Sequence, residues 1–249
     1  MALRIRKSTK ERHLGEVDRE PNKKIFIVFE GEKTEVKYFD GIKDNAKDLG
    51  INNLLEIVIL DKDEKSRGIT DPEGLIKLAK ETKEILKNPD EAICDNAEDE
   101  NSKVEYKELG IYDEKRDKFL IVIDRDKGDF KNYKEIIDKY KDEFIIGMTN
   151  PCFELWLLLH VEDSVENIIM PEYEKILEND IVSANHTFTS KIVSEEFHMN
   201  PKTGMRFSKF KDKVHYAIEQ EKKLEQDLYR LESSVGSNIG KIIEEEILS

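Results

Sequence analysis

The sequence predicts an α/β protein with a doubly wound, mainly parallel sheet and an appended C-terminal helical region. Short, continuous apolar runs alternate with segments in which apolar residues recur every three or four positions. Such runs are typical of parallel strands covered on both faces, and the segments between them predict the covering helices. Beyond residue 150 the helical spacing dominates, which predicts the separate C-terminal region.

Four apolar runs predict the strands, which are Ile25 to Phe29, Leu55 to Leu60, Phe119 to Ile123 and Glu143 to Thr149. The predicted intervening helices run from Val36 to Leu49 with an exit at Gly50, from Pro72 to Leu86 with Thr70 or Asp71 as the cap, and from Tyr133 to Tyr140. Strands separated by helices predict right-handed parallel crossovers.

The chain divides by composition into three parts. Residues 1–20 form a basic N-terminal arm, 21–150 carry the strand and helix alternation and contain an acidic insertion at 88–117, and 151–249 are helical and expected to pack on the sheet. A helix is expected to begin at Asn150 and Pro151. Another amphipathic stripe runs from Phe207 to Leu231 with a break at Glu221, and it predicts a long helix.

Composition narrows the function classes. The chain has 249 residues, 38% of them hydrophobic, which is enough for a core, and its net charge of −14 argues against indiscriminate binding to polyanions. No run approaches the length of a membrane span and the N-terminus has no signal-peptide core, so we expect a cytoplasmic protein without membrane contact. The histidines and cysteines lack the ligand spacing of a zinc site.

Acidic side chains directly follow two of the predicted strands. Glu30 comes after Phe29, and Asp124 and Asp126 come after Ile123. If both strands are central, these carboxylates meet at the carboxyl edge of the sheet, where open α/β sheets bind ligands. Residues two apart on an extended segment point the same way, so the two aspartates can share one ion. Carboxylate oxygens select Mg²⁺ or Mn²⁺, which serve phosphoryl transfer, although acids at strand ends often only solvate a turn.

Three segments resemble the signatures of the RloB-like proteins, which carry a Toprim fold. The segments are FEGEKTEVKYF at Phe29 to Phe39, VIDRD at Val122 to Asp126 and NPCFELWLLLH at Asn150 to His160. The resemblance extends from about Pro21 into the C-terminal helices and implies a Toprim-like catalytic domain at 21–150. Topoisomerases, bacterial primases and OLD-type nucleases share this fold, so the resemblance implies a metal-dependent nuclease.

The resemblance also implies a role for each acid. Glu30 corresponds to the Toprim glutamate, as metal ligand or general base, and Asp124 and Asp126 correspond to the DxD pair that holds Mg²⁺. Glu35 matches a further acidic position of the related nucleases, where it would support a second ion. It also lies in the first turn of a predicted helix, where a carboxylate is favoured anyway.

Five neighbouring residues are candidates for supporting roles: Lys33, Arg125, Lys127, Asn150 and Glu154. A phosphate contact is plausible for one of the three cations. Glu154 is the lone acid in an apolar helix, so it either lines the cleft or reaches solvent. Asn150 either contacts the site or caps that helix, and capping is the favoured interpretation.

A basic segment is the predicted nucleic-acid contact. PKTGMRFSKFKDKVHY at 201–216 carries five cations against one acid, with aromatic residues between them, and the predicted backbone contacts are Arg206, Lys209, Lys211 and Lys213. The same pattern also suits the solvated face of an amphipathic helix.

The leading hypothesis is an Mg²⁺-dependent endonuclease, with a role in prokaryotic anti-phage defence that follows from the resemblance alone. One alternative is a non-catalytic module that binds nucleic acid or a partner; another is a phosphatase or phosphotransfer domain. The chain has no GxxxxGK[ST] loop, so an ATP-driven activity of that class would need a partner. The substrate is DNA or RNA, with tRNA among the candidates, and a homodimer through the C-terminal helices is an option.

Overall fold

The computed structural model describes residues 3–6, 23–62, 66, 68–69, 71–88, 111–125, 132–184 and 186–249. The strands in these ranges are β1 (Arg4–Ile5), β2 (Lys23–Phe29), β3 (Leu55–Asp61), β4 (Lys118–Asp124), β5 (Ile145–Asn150), β6 (Ile181–Ser183), β7 (His186–Thr187) and β8 (Gly236–Ser237). Strands β6 and β7 form an antiparallel pair, and the others form one sheet in the order β1-β3-β2-β4-β5-β8.

The four central strands β3, β2, β4 and β5 are parallel, and the short edge strands β1 and β8 are antiparallel to their neighbours. From β2 the chain first passes to β3 on one side, and it later returns to place β4 on the other side. The order of the strands therefore reverses between β2 and β4. This is the topological switch point, where open α/β sheets leave a crevice at their carboxyl ends.

The helices are α1 (Thr34–Asp44), α2 (Pro72–Lys87), α3 (Tyr133–Tyr140), α4 (Glu154–Leu158), α5 (Tyr173–Glu178), α6 (Phe188–Phe197), α7 (Pro201–Gly204), α8 (Val214–Glu221) and α9 (Ile239–Ile242). Wider helical turns occupy Val165–Ile169 and Ile243–Ile247, and tighter turns occupy Phe207–Lys209 and Lys211–Lys213.

Both faces of the sheet are covered, because alternate residues of each strand point to opposite sides. On β2, Ile25, Ile27 and Phe29 pack with α1 and the C-terminal region, whereas Phe26 and Val28 pack with α2 and α3. The predicted doubly wound, mainly parallel sheet with C-terminal helices is therefore confirmed.

The boundaries of the predicted helices hold in part. Asp71 caps α2, since its Oδ1 accepts a hydrogen bond from the Gly74 N–H at 2.7 Å, and Pro72 follows at the first helical position. Helix α1 ends at Asp44 rather than at Leu49, and turns continue to Gly50, whose φ of 74° suits glycine.

The helix predicted over the stripe from Phe207 is wrong in extent. The stripe does not form one long helix, because Phe207 and Phe210 turn inward onto Tyr38 in two tight turns before α8. Helix α8 ends at Glu221, where the sequence shows the break, and the fully buried Glu221 side chain accepts hydrogen bonds from the first turn of α9.

The start of α4 is also later than predicted. Asn150 is the last residue of β5, and α4 begins at Glu154 after Phe153, without a side-chain cap. Asn150 therefore does not cap this helix. Its Nδ2 instead donates to the Leu231 carbonyl at 2.7 Å, which ties the end of β5 to the segment ahead of β8.

Some predictions fall outside the described residues. These are residues 7–20 of the basic arm and residues 89–110 of the acidic insertion. Among the residues that are described, no helix combines the length and the apolar character needed to cross a bilayer.

Candidate functional site

The structure brings Glu30 and Asp124 together at the switch point. Glu30 directly follows β2, and its N–H donates to the Val122 carbonyl of β4 at 2.9 Å, which extends the pairing of the two strands. The N–H of Asp124 donates to the Glu30 carboxylate, Oε2, at 3.1 Å. The predicted convergence of the two strand ends thus exists in the fold.

Asp124 is held from the next strand as well. The Thr149 hydroxyl on β5 donates to Asp124 Oδ1 at 2.7 Å. Burial raises the pKa of Asp124 well above its ordinary value, and the negative charges of Glu35, Glu154 and Glu30 raise it further, against the opposing effect of the Thr149 hydrogen bond. The carboxyl group therefore lies among like charges that its one hydroxyl donor does not offset.

Glu35 is the second buried acid of this group. It lies in the first turn of α1 and is 8% exposed. Burial raises its pKa to about 7, and the charge of Glu154 adds to that effect. The main-chain N–H of Glu35 and the cations Lys202 and Lys62 act in the opposite direction. A carboxyl group with this pKa is poised to lose its proton near neutral pH, or to a cation that binds there.

Gly31 makes room for the Glu35 carboxylate. A Cβ atom built on Gly31 would overlap both carboxylate oxygens of Glu35. Both residues of the Glu30-Gly31 pair therefore contribute to the site. Glu30 supplies a carboxylate, and Gly31 allows the Glu35 carboxylate to pack against the main chain. A larger residue at 31 would displace Glu35 from this position.

Glu154 completes the acidic group from the C-terminal region. It is 6% exposed, and its side chain has no ion-pair partner among the described residues. Its charge raises the pKa of both Glu35 and Asp124, so it lies close to both. The sequence left two interpretations open for Glu154, that it lines the cleft or that it reaches solvent. The burial of its side chain excludes the second.

The three cations that the sequence predicts next to these acids, Lys33, Arg125 and Lys127, do not share one environment. Lys33 precedes α1 and is exposed. The Arg125 guanidinium lies over the Tyr133 ring, with Cζ 5.4 Å from the ring centroid, on the face that α3 covers. Asp126 and Lys127 lie outside the described residues, so the second aspartate of the DxD pair stays a prediction from the sequence.

Two cations that the sequence reasoning did not place in the site act on it. Lys62 follows β3, and its Nζ donates to the Glu30 carbonyl at 2.7 Å. Lys202 begins the basic segment, which is anchored beside Glu35 because the Thr34 hydroxyl donates to the Pro201 carbonyl at 3.2 Å. The rule that pointed to Glu30 and Asp124, a polar residue directly after a predicted strand, leads to Asp61 after Leu60 and misses Lys62, because the observed β3 extends to Asp61.

The basic segment runs along the length of α1. It is tied to the first turn of the helix through Pro201 and to the region after its end through an ion pair of 2.6 Å between Lys211 and Asp48. Arg206, Lys209 and Lys213 are exposed, and their side chains have no hydrogen-bond or ion-pair partner among the described residues. Three of the four predicted contacts are thus available to a ligand, and the fourth is paired.

The aromatic residues of this segment have a different role from the predicted one. Phe207 is 8% exposed and Phe210 is fully buried, and both rings pack against Tyr38 in the core. As placed, these two rings cannot stack on nucleobases. The segment therefore offers charge to a ligand rather than an aromatic surface.

The donor set suits a hard divalent cation. Glu30, Glu35, Asp124 and Glu154 supply only carboxylate oxygens, which Mg²⁺ and Mn²⁺ prefer. Burial, and after it the repulsion of neighbouring acids, raises the pKa values of Glu35 and Asp124, and a bound cation would stabilise their charged forms. Within the described ranges, no three acidic, histidine or cysteine side chains are gathered closely enough to hold an ion. Side-chain rotation, with Asp126 added, would be needed to complete the coordination.

The comparisons with known proteins agree with the resemblance seen in the sequence motifs. The family model described as RloB-like protein matches residues 25–245, which includes both strand-end acids and the basic segment. Neither the curated proteins nor the solved structures that were compared with the chain give a significant match. Because the family match covers most of the sequence, the chain belongs to the RloB-like protein family.

Proposed function

We propose that this protein is a metal-dependent nuclease that hydrolyses phosphodiester bonds in nucleic acid. The observation that carries the proposal is the convergence of Glu30, Glu35, Asp124 and Glu154 at the switch point of the sheet. Burial and the charges of neighbouring acids make the ionised forms of Glu35 and Asp124 costly. A divalent cation and a phosphate that binds it would relieve that cost.

Glu30, Asp124 and Asp126 would hold the cation, with Glu35 and Glu154 in reach of a second ion. When bound, Mg²⁺ or Mn²⁺ supplies charge stabilisation for the phosphate oxygens and lowers the pKa of bound water. Thr149 orients the Asp124 carboxylate through its hydroxyl hydrogen bond of 2.7 Å. Gly31 lets the Glu35 carboxylate reach the edge of the sheet.

The pKa of Glu35, about 7, suits a group that exchanges protons near neutral pH. In the proposed site Glu35 either accepts a proton from water or binds the second ion as a carboxylate. Its position at the first turn of α1 fixes it against the main chain of Gly31. That position would hold the carboxylate in one orientation while the phosphate binds.

The basic segment would bind the nucleic-acid backbone. Arg206, Lys209 and Lys213 are exposed along α1, whose 11 residues correspond to about 16 Å of helix. That length matches roughly five nucleotides of a strand. A protein with a net charge of −14 needs such a local patch to hold a polyanion, because its overall field is repulsive. A role in anti-phage defence rests on the family resemblance.

The test is a cleavage panel of supercoiled plasmid, single-stranded DNA, tRNA and long RNA in Mg²⁺, Mn²⁺ and EDTA. Wild-type protein is compared with a variant that carries Asp124→Ala and Asp126→Ala, and with Asp142→Asn as a matched control. Asp142 is exposed and lies ahead of β5, at the opposite end of the sheet. Metal-dependent cutting that only the double variant loses is the expected result, and the cut substrate identifies the class of nucleic acid.

Cutting by the double variant would point to a contaminating nuclease. Binding of nucleic acid without cutting in any metal would support the non-catalytic module instead. Release of inorganic phosphate from a phosphomonoester, without cleavage of the panel, would favour a phosphatase.

A further inference from the structure

Lys62 is a half-buried cation at the carboxyl end of β3, beside the acidic group. Its Nζ donates to the Glu30 carbonyl at 2.7 Å and to the Ile69 carbonyl at 3.0 Å. An ammonium group has three N–H donors, so one donor is left after these two bonds. Lys62 is thus fixed by main-chain atoms and keeps a hydrogen-bond donor for a ligand.

The charge of Lys62 is not neutralised by contact. It forms no ion pair with a carboxylate of the described residues, although Glu32, Glu30 and Glu35 are near enough to influence its pKa. The two carbonyls that hold the ammonium group are neutral, so its positive charge stays available to an anion. A charge-assisted hydrogen bond from an ammonium group to a phosphate oxygen is among the stronger polar contacts.

The surroundings of Lys62 form an open cleft. It is lined by Lys62 with Gly31, Glu32 and Val36 on one side and Arg6 and Asp61 on the other. The charge of Arg6 is paired, since its guanidinium donates to the carboxylates of Asp40 at 2.8 Å and Asp61 at 3.0 Å. Of these two cleft cations, Lys62 is therefore the one whose charge is not paired with a carboxylate of the described residues.

We propose that Lys62 binds a phosphate group of the nucleic-acid substrate, next to the phosphodiester that water would hydrolyse at the acidic group. This inference rests on the proposed nuclease function and adds a contact from β3 to it. The bond from Nζ to the Glu30 carbonyl ties the phosphate-binding cation to the main chain of the same residue that supplies a candidate ligand carboxylate. The same bond makes the cation and the acid move together, which would keep the phosphate in register with the acidic group.

The test measures nucleic-acid binding as a function of salt. Fluorescein-labelled single-stranded DNA and RNA of one sequence are titrated with protein in EDTA, at several salt concentrations. The variants are Lys62→Gln, which keeps N–H donors but loses the charge, and Lys62→Arg, which keeps the charge. Lys77→Gln is the matched control, because Lys77 is exposed on α2 and lacks a partner among the described residues. Thermal unfolding of each variant reports folding.

A phosphate contact predicts that Lys62→Gln weakens binding by about tenfold. It also predicts that the slope of log affinity against log salt falls by just under one, and that Lys62→Arg restores the slope. Lys77→Gln should match the wild type. Cleavage of the substrate identified by the panel should fall with Lys62→Gln through KM more than through kcat, since the contact binds the backbone.

An unchanged salt slope in Lys62→Gln would overturn the inference, even if binding weakened, because a purely structural latch changes stability without releasing counterions. If the wild type binds but never cuts, the nuclease proposal fails while the salt slope still decides the role of Lys62. If the wild type neither binds nor cuts nucleic acid, both proposals are wrong.

Discussion

Two of the places where the described residues bury acidic side chains differ in their surroundings. Glu221 in the C-terminal region is fully buried, and its carboxylate accepts hydrogen bonds from the N–H groups of Gly240 at 2.8 Å and Lys241 at 2.9 Å and from Gln226 Nε2 at 2.9 Å. The Ser237 hydroxyl opposes the rise in its pKa that burial causes. Glu221 is therefore a satisfied structural carboxylate at the first turn of α9.

Asp124 at the switch point has fewer hydrogen-bond donors than Glu221. Among the described residues the Thr149 hydroxyl donates to its carboxylate, and the acids Glu35, Glu154 and Glu30 add to the rise in its pKa that burial causes. The comparison teaches that burial of an acid does not by itself indicate function. The number of donors around it does, since a carboxylate that faces other carboxylates is stabilised only when a cation binds.

The largest expected effect is a loss of nucleic-acid cleavage, which should follow substitution of Asp124 but not of Glu221. Asp124→Asn should lower cleavage by about three orders of magnitude, because a metal ligand is lost. Folding stability in EDTA should stay level or rise by about 1 kcal/mol, because the substitution removes a charge from a repulsive group. Cleavage rates and urea unfolding measure the two effects, with Asp142→Asn as the control. A large loss of stability would place Asp124 in the same structural class as Glu221.

The second expected effect is a loss of folding stability, which should follow substitution of Glu221 but not of Asp124. Glu221→Gln should lower the free energy of unfolding by about 3 kcal/mol, because an amide cannot accept all the hydrogen bonds that the carboxylate accepts and an N–H group would face another donor. Cleavage by the folded protein should be unchanged. Glu219→Gln on the same helix removes only an exposed ion pair with Lys222 and should cost less than about 0.5 kcal/mol. Equal losses in both variants would contradict the structural role.

The third prediction uses the pH dependence of stability in metal-free protein. The pKa of Glu35 rises from 4.5 in the unfolded chain to about 7 in the fold, so between these values the folded state binds more protons. Stability in EDTA should therefore fall as pH rises from about 4.5 to about 7, by about 3 kcal/mol for an isolated group. Glu35→Gln should flatten this part of the curve, while the exposed Glu32→Gln should not.

Added Mg²⁺ gives a second test of the same carboxyl group, through its effect on Tm at two pH values. A cation binds the deprotonated carboxylate, so added Mg²⁺ should raise Tm more at about pH 8 than at about pH 5.5. An equal shift at both values would argue that the ion binds away from Glu35.

The fourth prediction concerns the glycine that admits Glu35. Gly31→Ala should lower cleavage by about tenfold or more, because the new Cβ displaces the carboxylate. Its effect on stability should be below about 1 kcal/mol, since the displaced atoms are the end of a flexible side chain. Gly204→Ala is the control, because a Cβ built there meets no atom within 4 Å. Normal activity in Gly31→Ala would remove the position of Glu35 from the proposed site.

The smallest expected effect lies in the basic segment. Lys209→Gln should weaken nucleic-acid binding about threefold and reduce the salt slope by just under one. Lys211→Gln should change both less, because Asp48 already neutralises Lys211 at 2.6 Å, and it should alter stability by less than about 0.5 kcal/mol. Fluorescence titration of both variants against the same oligonucleotide makes the comparison. Equal effects would mean that the ion pair opens on binding.

The sequence by itself determined the class of fold and two of the acids at its edge. Continuous apolar runs such as the one at Phe119 to Ile123 predict buried parallel strands, since each residue of such a strand meets apolar neighbours on one face or the other. Glu30 and Asp124 could then be placed, because a residue that directly follows a central strand must lie at the carboxyl edge. These inferences need only local periodicity.

Only the tertiary structure decided which other residues join them. The burial of Glu154, the two carbonyl bonds of Lys62 and the position of Lys202 beside Glu35 depend on contacts between segments far apart in sequence. The same holds for Phe207 and Phe210, whose spacing predicts a helix, whereas the structure places both rings on Tyr38 from two tight turns. Periodicity shows which side chains are apolar, whereas the partner that covers or neutralises each of them is chosen by the fold as a whole.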